Sequence, residues 1–585
     1  RMIESVAALG RYVLEKSNKS VLEQMIENPN YDYCMFILLS ETENGIEFTG
    51  VDYEEVSTDY SKYLFRSGSS RGANFSPTAK ITTLSNTYDQ KILGWFRGVL
   101  KEKRINNKEK LEQIYDRLVQ DQASILAAVS EKIESLDKCL ISVKLNHLYP
   151  VENELFTETF LYLINKKDLE LSANNQICSI CKEQKDTVIG KMSAFKFYTL
   201  DKPGFITGGF QEETAWRNYP VCLECKSFVE AGKEYIENHL KYQFYGLPYL
   251  LIPSFLINKE NTGEDFEVIL EIFENQQKMI QLSKESGNSI MTDEGDLLYI
   301  LSEQKNTISL KFLFMQKIQS AERILLVIDD VLPSRLQKLF KSKEEVEKVI
   351  LFKKETNEPG HFHFGFFRTF FAKSDEGKKN FDLNKYFLTI VESSFKAKQL
   401  DHNFLLKYMM KEIRKEFLKE NEQNFYWKIK QAMACLSFLE KINVLQFEGG
   451  QMIMSKFSNI FDVFGKQLNT NEKRAIFLLG SLTQILLEVQ QKVRNSKPFL
   501  KQLMGLKMDE QSIKGLLPKV INKFIEYDAY TKSRQELAEE ISSLFLQSNE
   551  KWKLSIDEIN YYFVCGMSLA SKVKEVLYEK EEVIQ

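Results

Sequence analysis

Two pairs of cysteines constrain the fold of this 585-residue chain more than any other feature of its sequence. Each pair has C-x-x-C spacing, and the four residues are Cys178, Cys181, Cys222 and Cys225. Two intervening residues let both sulfurs of a pair bind one tetrahedral ion from a tight turn, and two pairs complete a four-sulfur shell. Four thiolates leave no open position for a substrate, so the spacing predicts a structural zinc ion, Zn(2+).

The 40 residues between Cys181 and Cys222 exceed the ~15–20 residues of a compact zinc ribbon, so this segment must itself fold. Its runs Phe195–Leu200 and Gly204–Phe210 are typical of short strands with glycine turns, which predicts a β insertion on a zinc-bound stem. Two other interpretations stay open: unrelated turns with buried thiols, or a redox dithiol. A redox pair would not need a second C-x-x-C.

The rest of the sequence is typical of a folded protein rich in helix, because only 11 prolines and 26 glycines interrupt it. The predicted fold is α+β and multi-domain, with an N-terminal α/β region, an inserted four-cysteine zinc-finger-like domain and an all-α C-terminal helical bundle. The predicted domains are residues 1–150, 151–260, 261–375 and 376–585. The remaining cysteines, predicted as small buried hydrophobes, are Cys34, Cys139, Cys435 and Cys565.

Hydrophobic periodicity assigns the individual elements. Asn44-Gly45 predicts a hairpin turn. Strands are predicted near Tyr63, at 140–148, 249–255, 311–316 and 323–328, and in the alternating run His361–Phe367. Helices are predicted at 84–137, 155–164, 228–245 and across the region after residue 376.

Length and charge exclude some classes of protein. The longest apolar runs, Cys34–Leu39 and Ala475–Leu479, are far shorter than the ~20 residues that cross a bilayer. The N-terminal residues lack the apolar core of a signal peptide, so we expect a cytoplasmic protein. A formal net charge of −4 excludes a uniformly basic coat but allows local basic patches.

A loop rich in glycine and serine, residues 66–80, is a predicted nucleic-acid contact, because its glycines let backbone amides approach a phosphate. The residues expected to make contact are Arg66, Arg71, Asn74 and Lys80. An ordinary solvated loop is the alternative. Gly68–Gly72 also matches the G-x-S-x-G nucleophile elbow, but Pro77 argues against the helix that this motif needs.

The C-terminal region contains a second predicted contact. Residues 473–534 carry a net charge of +7, whereas residues 535–585 carry −5. This basic block predicts a stripe that follows single-stranded DNA, and a solvated helix face is the alternative. The residues of the predicted stripe are Lys473, Arg474, Lys492, Arg494, Lys497 and Lys501.

Motifs for catalysis are sparse. No Gly-Lys is followed by Ser or Thr, so the sequence has no P-loop. No histidine precedes an aspartate and no Gly-Gly precedes Asp-Asp, which argues against a metal-dependent phosphohydrolase or a polymerase-like subunit. His361 and His363 could share a metal if they lie on one strand, although unliganded histidines are the simpler interpretation. Asp329-Asp330 precedes a helix, where capping explains the pair as well as metal binding does.

Several segments together resemble the large subunit of type I-B CRISPR Cascade, the CRISPR-associated Cas-eight-b family. The resemblance covers most of the chain, and the order of the segments is more specific than any one of them. The segments are Tyr63–Pro77, Lys196–Phe205, Asn218–Cys225, Tyr235–Pro253, Asp330–Arg335 and Phe477–Leu482.

This resemblance implies a non-catalytic subunit that holds the CRISPR RNA 5′ end, recognises a short PAM duplex and helps to open target DNA. The implied partners are CRISPR RNA, the backbone and small subunits, and a helicase–nuclease that is recruited to cut. It also implies that the C-terminal bundle is similar to the small subunit, for which Met452 and Met454 are candidate internal starts. Two alternatives are a metal-dependent nuclease using Asp329 and Asp330, and a zinc-stabilised interaction protein that binds no nucleic acid.

Overall fold

The structure, a computed structural model, forms two compact units. The first comprises Arg1–His239, Gly263–Glu267 and Lys317–Glu322, and the second comprises the remaining segments from Leu240 onward. The border at His239 falls inside the segment 151–260 that the sequence predicts as one domain. The described residues are 2–17, 20–68, 72–132, 138–192, 194–195, 211–255, 267, 270–271, 308–318, 321–349, 362–447 and 455–578.

The first unit combines eight helices and six strands among its described residues. The helices are α1 (Met2–Ser17), α2 (Val21–Gln24), α3 (Leu84–Thr87), α4 (Gly94–Leu100), α5 (Lys108–Gln120), α6 (Gln122–Lys132), α7 (Glu154–Leu169) and α8 (Leu223–His239). A π-helical stretch, Tyr88–Leu93, joins α3 to α4. The strands are β1 (Tyr33–Thr42), β2 (Gly45–Glu55), β3 (Ala79–Lys80), β4 (Cys139–Leu145), β5 (Ser172–Ile177) and β6 (Gln184–Ile189).

Four of these strands form a mixed sheet in the order β2-β1-β4-β3. The predicted hairpin is confirmed: β1 and β2 are antiparallel, Thr42 pairs with Gly45, and Gly45 adopts the positive φ of 115° that favours glycine. β4 runs parallel to β1, because the helices between them carry the chain back to the starting edge. One face of the sheet packs on these helices, with Trp95, Phe96 and Phe156 fully buried in the core.

The second unit contains the remaining elements. Its strands are β7 (Lys241–Phe244), β8 (Leu247–Phe255), β9 (Ile308–Ile318) and β10 (Ala321–Val331), which form a sheet in the order β10-β9-β8-β7. Only the end of β9 and the start of β10, within Lys317–Glu322, belong to the first unit. Its helices are α9 (Pro333–Glu347), α10 (Gly365–Phe370), α11 (Asn384–Lys396), α12 (His402–Leu418), α13 (Glu422–Lys441), α14 (Ser458–Asp462), α15 (Asn471–Arg494), α16 (Glu510–Lys514), α17 (Leu516–Glu526), α18 (Lys532–Leu546), α19 (Ile556–Ser568) and α20 (Ala570–Tyr578). The predicted C-terminal helical bundle is therefore confirmed.

Helix α15 is the axis of the bundle. It is 24 residues long and buried on all sides from Glu472 to Leu487, and apolar residues predominate from Ala475 to Leu487. It crosses α19 at two glycines: a Cβ on Gly480 would lie 1.9 Å from the carbonyl oxygen of Phe563, and a Cβ on Gly566 would lie 1.7 Å from that of Phe477. Only glycine permits this approach of the two helix backbones.

Three local predictions are wrong. The predicted strand near Tyr63 is a 3-10 helix, Tyr60–Tyr63, which ends where Leu64 adopts a left-handed φ of 46°. The predicted helix 228–245 ends at His239, and the chain continues as strand β7, which a turn with positive φ at Tyr245 and Gly246 joins to β8. The aromatic run after residue 361 contributes to helix α10, since Phe366, Phe367 and Phe370 are buried at helical spacing.

The predicted helix 84–137 is interrupted rather than continuous. Residues 101–107 separate α4 from α5, and Asn107 has a left-handed φ of 55° directly before α5. The four cysteines outside the C-x-x-C pairs are buried, as predicted. No helix in the described part of the chain has both the length and the hydropathy that a membrane crossing requires.

Candidate metal centre and nucleic-acid surfaces

The first cysteine pair lies in the turn of the β5–β6 hairpin. The amide of Cys178 donates to the carbonyl of Glu183 at 2.9 Å, and the amide of Lys182 donates to the carbonyl of Cys178 at 3.0 Å. Lys182 has a left-handed φ of 64° that closes the turn. The amide of Ile180 donates to the Cys178 sulfur at 3.4 Å. The backbone therefore curls around a sulfur, as in a metal-binding C-x-x-C turn.

The second cysteine pair lies at the N-terminus of α8. Cys222 directly precedes the helix and Cys225 lies in its first turn. The amide of Cys225 donates to the Cys222 sulfur at 3.5 Å, and the amide of Cys222 donates to the Cys178 sulfur at 3.4 Å. The amides at a helix N-terminus carry partial positive charge, so this position stabilises thiolates.

Backbone hydrogen bonds join the two cysteine turns. The amide of Ser179 donates to the carbonyl of Pro220 at 2.7 Å, and Ile189 and Val221 pair as an isolated β-bridge. The chain between β6 and α8 therefore leaves and returns at one hairpin. This stem brings the two cysteine pairs together even though a long segment separates Cys181 from Cys222.

The four sulfurs fit one metal ion. They lie within 4.8 Å of one another, and three of the four residues are buried. A tetrahedron with Zn–S bonds of ~2.3 Å places its sulfurs about 3.8 Å apart, so only small shifts would bring all four into contact with an ion. Among the described residues, no other group of three or more His, Cys, Asp or Glu side chains is placed to hold a metal.

Hydrogen bonds between the thiols shift the pKa values of the cysteines in opposite directions. The thiols of Cys222 and Cys225 donate to the sulfur of Cys178, which lowers the pKa of Cys178 strongly. The same contacts with Cys178 raise the pKa of Cys222 to about 11 and also raise the pKa of Cys225. A divalent cation at the centre of the cluster would replace these protons and stabilise all four thiolates.

Two contacts that the sequence analysis did not find fix α8 in place. Lys226, next to Cys225, forms an ion pair of 2.6 Å with Asp168 of α7, and their side chains are only 6% and 9% exposed. Helix α8 also crosses α1 so closely that a Cβ on Gly10 would lie 1.8 Å from the carbonyl oxygen of Phe228. A lysine and a glycine within helical sequence give no sign of such contacts until the partner helix is known.

Most of the predicted β insertion, including Lys196–Leu200 and Gly204–Phe210, lies outside the described residues. Phe195 is described and buried, with the ammonium of Lys233 5.3 Å from its ring. Gly190 precedes the insertion and Trp216 follows its second predicted strand, and a Cβ on Gly190 would lie 2.6 Å from the amide nitrogen of Trp216. The end of the insertion therefore packs tightly against the stem.

The predicted loop contact, residues 66–80, is partly described, and Arg71 lies outside the described residues. Arg66 donates to the carbonyl of Met25 at 3.0 Å. Lys80 is exposed, and its ammonium lies 4.8 Å from the ring of Tyr31. Lys80 is therefore accessible to a phosphate, whereas Arg66 also anchors the loop.

Asn74 has a structural role that the sequence did not indicate. Its Oδ1 accepts a hydrogen bond from the amide of Gly68 at 3.1 Å, and its Nδ2 donates to the carbonyl of Thr78 at 2.8 Å. Both ends of the side-chain amide thus hold the loop. The residues from Gly72 to Thr78 form bends and no helix, so the nucleophile-elbow geometry is absent there.

The predicted basic stripe is not continuous, because Lys473 and Arg474 are buried. They are 8% and 6% exposed at the start of α15. Lys473 donates to Asn469 at 3.0 Å, and Arg474 donates to the carbonyl of Leu468 at 2.9 Å. Including these two residues in a surface stripe is wrong, since the helices around α15 cover its N-terminal half on all sides.

The other four predicted residues cluster at the C-terminal end of α15 and in the 3-10 helix Pro498–Leu503 that follows. Lys492, Arg494 and Lys501 are exposed, whereas Lys497 forms an ion pair with Glu422. Cations at a helix C-terminus also stabilise the helix dipole. This basic end is therefore a cluster of surface cations that also stabilises helix α15.

Asp329 and Asp330 contact a lysine rather than each other. The buried Lys311 ammonium lies 2.7 Å from Asp330 Oδ1 and 4.0 Å from Asp329 Oδ1. The hydrogen bond from Lys311 is the main cause that lowers the pKa of Asp330. A cationic side chain thus occupies the position at which two carboxylates would bind a metal. Among the described residues, no third ligand joins them.

His361 lies outside the described residues, and His363 is held by aromatic rings. The ring of His363 stacks on that of Tyr245 with centroids 5.8 Å apart, and it makes an edge contact with Phe366 at 4.9 Å. The strand that was expected to place both histidines on one face does not form, because the chain enters α10 at Gly365.

Comparison with known proteins identifies the family. Three family models match consecutive parts of the chain, and each is described as CRISPR-associated protein TM1802 (cas_TM1802): its N-terminal domain at residues 2–162, its central domain at 175–331 and its C-terminal domain at 362–581. No curated protein matches the chain. Because the three domains follow one another in order and together span most of its length, the chain belongs to the CRISPR-associated TM1802 family.

Proposed function

We propose that this chain is the non-catalytic large subunit of a type I-B CRISPR RNA-guided surveillance complex. In this role it binds the CRISPR RNA 5′ end, recognises PAM DNA, aids target unwinding and recruits a separate helicase–nuclease for antiviral defence. The observation that carries the proposal is the ordered match to three domains of one CRISPR-associated family. The order of segments that resembles Cascade large subunits supports the finer assignment.

The four-cysteine cluster acts as a structural zinc site within this proposal. Four thiolates at tetrahedral spacing suit Zn(2+), and they leave no coordination position for a substrate. The residues that would hold the ion are Cys178, Cys181, Cys222 and Cys225. The ion would join the β5–β6 hairpin to α8 and so fix the base of the insertion. Its expected role is therefore to hold the fold in this region.

Two surfaces support nucleic-acid binding in this proposal. The exposed Lys80 in the 66–80 loop and the exposed basic end of α15 offer cations to phosphates. The contact of Asp330 with Lys311 disfavours the nuclease alternative, because the lysine competes with a metal for the carboxylate.

Purification of the chain with the products of neighbouring genes, followed by sequencing of any bound RNA, tests the proposal. We expect a repeat-derived RNA handle. Absence of RNA from the purified assembly would favour the interaction protein that binds no nucleic acid.

A separate reaction tests for catalysis. We expect the purified chain to leave DNA intact in the presence of Mg²⁺ or Mn²⁺. Cleavage that disappears when Asp329 and Asp330 are changed to asparagine would overturn the non-catalytic assignment in favour of a metal-dependent nuclease.

A further inference from the structure

Helices α11 and α12 carry a cluster of partly exposed aromatic rings that the sequence analysis did not single out. The ring centroids of Tyr386, Phe404 and Tyr408 lie 5.2 to 5.4 Å apart, and Phe371 is buried beneath them. Phe404, Tyr408 and Lys411 lie on one face of α12, because they recur at intervals of three and four residues. Aromatic residues at this spacing normally fill a core, yet these three rings remain partly accessible.

Phe381 extends the aromatic surface. Its side chain is 49% exposed, and the guanidinium of Arg368 lies 4.6 Å from its ring centroid. The ammonium of Lys373 lies 5.8 Å from the same ring. The ring is therefore supported by cations, while about half of its surface remains open to a flat ligand.

Lysines without acidic partners surround these rings. Of the described ion pairs, none involves Lys373, Lys385 or Lys407, and the ammonium of Lys385 instead lies 4.8 Å from the ring of Tyr386. These lysines are available to an anionic partner.

The acidic groups on the same surface already have partners. Asp382 pairs with Lys378 at 2.5 Å, and Glu376 pairs with both Lys415 and Lys419. Asp375 accepts a hydrogen bond from the amide of Gly377 at 2.8 Å.

Two of these lysines also act on the hydroxyl of Tyr386. The hydrogen bond with Tyr408 is the main cause that lowers the pKa of Tyr386, and the charges of Lys385 and Lys407 lower it further. The same charges would stabilise a phosphate placed near these rings.

We propose that the aromatic–lysine face, formed by Phe381, Tyr386, Phe404, Tyr408, Lys373, Lys385 and Lys407, binds a single strand of nucleic acid. Bases stack on the exposed ring surfaces and backbone phosphates contact the lysines, a combination that tolerates any sequence. This inference rests on the proposed function and adds to it a binding surface separate from the 66–80 loop and from the basic end of α15. Flat rings beside unpaired lysines match bases and phosphates, and RNA and DNA single strands share this chemistry.

Fluorescence anisotropy of the full-length chain with labelled single strands of DNA and of RNA tests the inference. The Lys385→Gln/Lys407→Gln variant should bind both strands less tightly. The slope of log K against the logarithm of the salt concentration should become shallower by roughly 1.4, about 0.7 for each phosphate contact that is lost. Phe381→Ala should weaken binding roughly fivefold or more, because the loss of one stacked base has about that effect. The matched control, Lys103→Gln/Lys108→Gln, removes the same charge from exposed positions before and at the start of α5 and should bind as the wild type does.

Equal affinity and equal salt dependence for Lys385→Gln/Lys407→Gln and for the control would overturn the inference. Failure of the wild-type chain to bind either strand would overturn it as well. The proposed function is tested separately by the RNA recovered from the purified assembly. If the variants of the aromatic–lysine face bind normally but the assembly contains a repeat-derived RNA, this inference is overturned and the proposed function stands. A preference for RNA or for DNA would identify the strand that occupies the face.

Discussion

Cys178 is the residue around which the candidate metal site is organised. Its sulfur accepts hydrogen bonds from the amides of Ile180 and Cys222, at 3.4 Å each, and from the thiols of Cys222 and Cys225. Donors that converge on one sulfur favour its ionised form. A divalent ion bound here would replace the thiol protons and be held by all four sulfurs.

Replacement of Cys222 should remove both the metal and part of the fold. We expect the wild-type chain to contain about one zinc ion and Cys222→Ser to contain none, because three thiolates hold the ion less well than four. The variant should also melt at a lower temperature, since the ion joins two separate segments. Elemental analysis and thermal unfolding measure these effects. Cys435→Ala, a buried cysteine outside the cluster, serves as the control and should keep its zinc.

A Cys222→Ser chain that lacks metal but melts at the wild-type temperature would contradict the structural role. Retention of zinc by that variant would instead show that the remaining cysteines suffice to bind the ion.

Asp330→Asn should lower stability because it leaves the buried Lys311 with a weaker partner. We expect a loss of about 1–3 kcal/mol in the free energy of unfolding, below the ~3–5 kcal/mol for a fully buried pair. The reduction reflects the 40% exposure of the Asp330 side chain and the presence of Asp329 at 4.0 Å. Denaturant unfolding measures the loss, and Asp375→Asn is an exposed control. Wild-type stability of Asp330→Asn would contradict the pairing.

The same pair has a defined pH dependence. The pKa of Asp330 is lower in the folded chain than the ordinary aspartate value near 3.9, because Lys311 donates a hydrogen bond to it. The pair therefore contributes its full stability above that ordinary value and loses it as the pH falls through the folded pKa. Unfolding measured from neutral to acidic pH should show a smaller acid-induced loss in Asp330→Asn than in the wild type.

At the scale of elements, the contact between α15 and α19 depends on two glycines. The backbones meet at Gly480 and Gly566, where a methyl group would overlap a carbonyl oxygen at less than 2 Å. Helix propensity alone would favour alanine at both positions. The close crossing therefore outweighs local propensity, and it draws the buried faces of the two helices together.

Gly480→Ala should destabilise the bundle by about 1–3 kcal/mol, since the helices must move apart to admit the methyl group. The matched control is Gly98→Ala in α4, where a Cβ would meet nothing within 4 Å. That control should be unchanged or more stable by roughly 0.5–1 kcal/mol, because alanine restricts the unfolded chain. Thermal or denaturant unfolding compares the two variants. Equal stability of Gly480→Ala and the control would rule out the close crossing.

At the scale of the whole molecule, the net charge of −4 conceals a local separation of charge. The basic end of α15 keeps Lys492, Arg494 and Lys501 exposed, while two cations of the same sequence block, Lys473 and Arg474, are buried. A charge count along the sequence therefore overstates the charge available to a strand of DNA. Binding should depend on fewer cations than the sequence block contains.

Charge reversal at Lys497 and Lys501 should weaken DNA binding and make it less dependent on salt, because fewer counterions are released. The effect of Lys501→Glu alone should exceed that of Lys497→Glu, since Lys497 is already paired with Glu422. Binding titrations over a range of salt concentrations measure both quantities, with Lys108→Glu as an exposed control. Binding that stays constant across salt in every variant would exclude the basic end of α15 as a contact.

The sequence predicted the larger elements because their signals are local. The Asn44-Gly45 hairpin, strands β4, β8, β9 and β10, and the C-terminal helices all follow from turn chemistry or periodicity. Short aromatic runs gave wrong assignments near Tyr63 and after residue 361, since alternation over a few residues is compatible with either a strand or one buried helix face. The long helix 84–137 was overextended because the break at residues 101–107 contains neither proline nor glycine.

The sequence by itself determined that four thiols at C-x-x-C spacing belong together, because the chemistry of tetrahedral metal binding restricts that spacing. Only the tertiary structure decided how residues distant along the chain meet: that Lys311 neutralises Asp330, that Lys473 and Arg474 are buried, and that the aromatic rings of α11 and α12 remain partly exposed. Burial and charge pairing depend on which helices and strands pack against each other, and a local sequence pattern does not specify this packing.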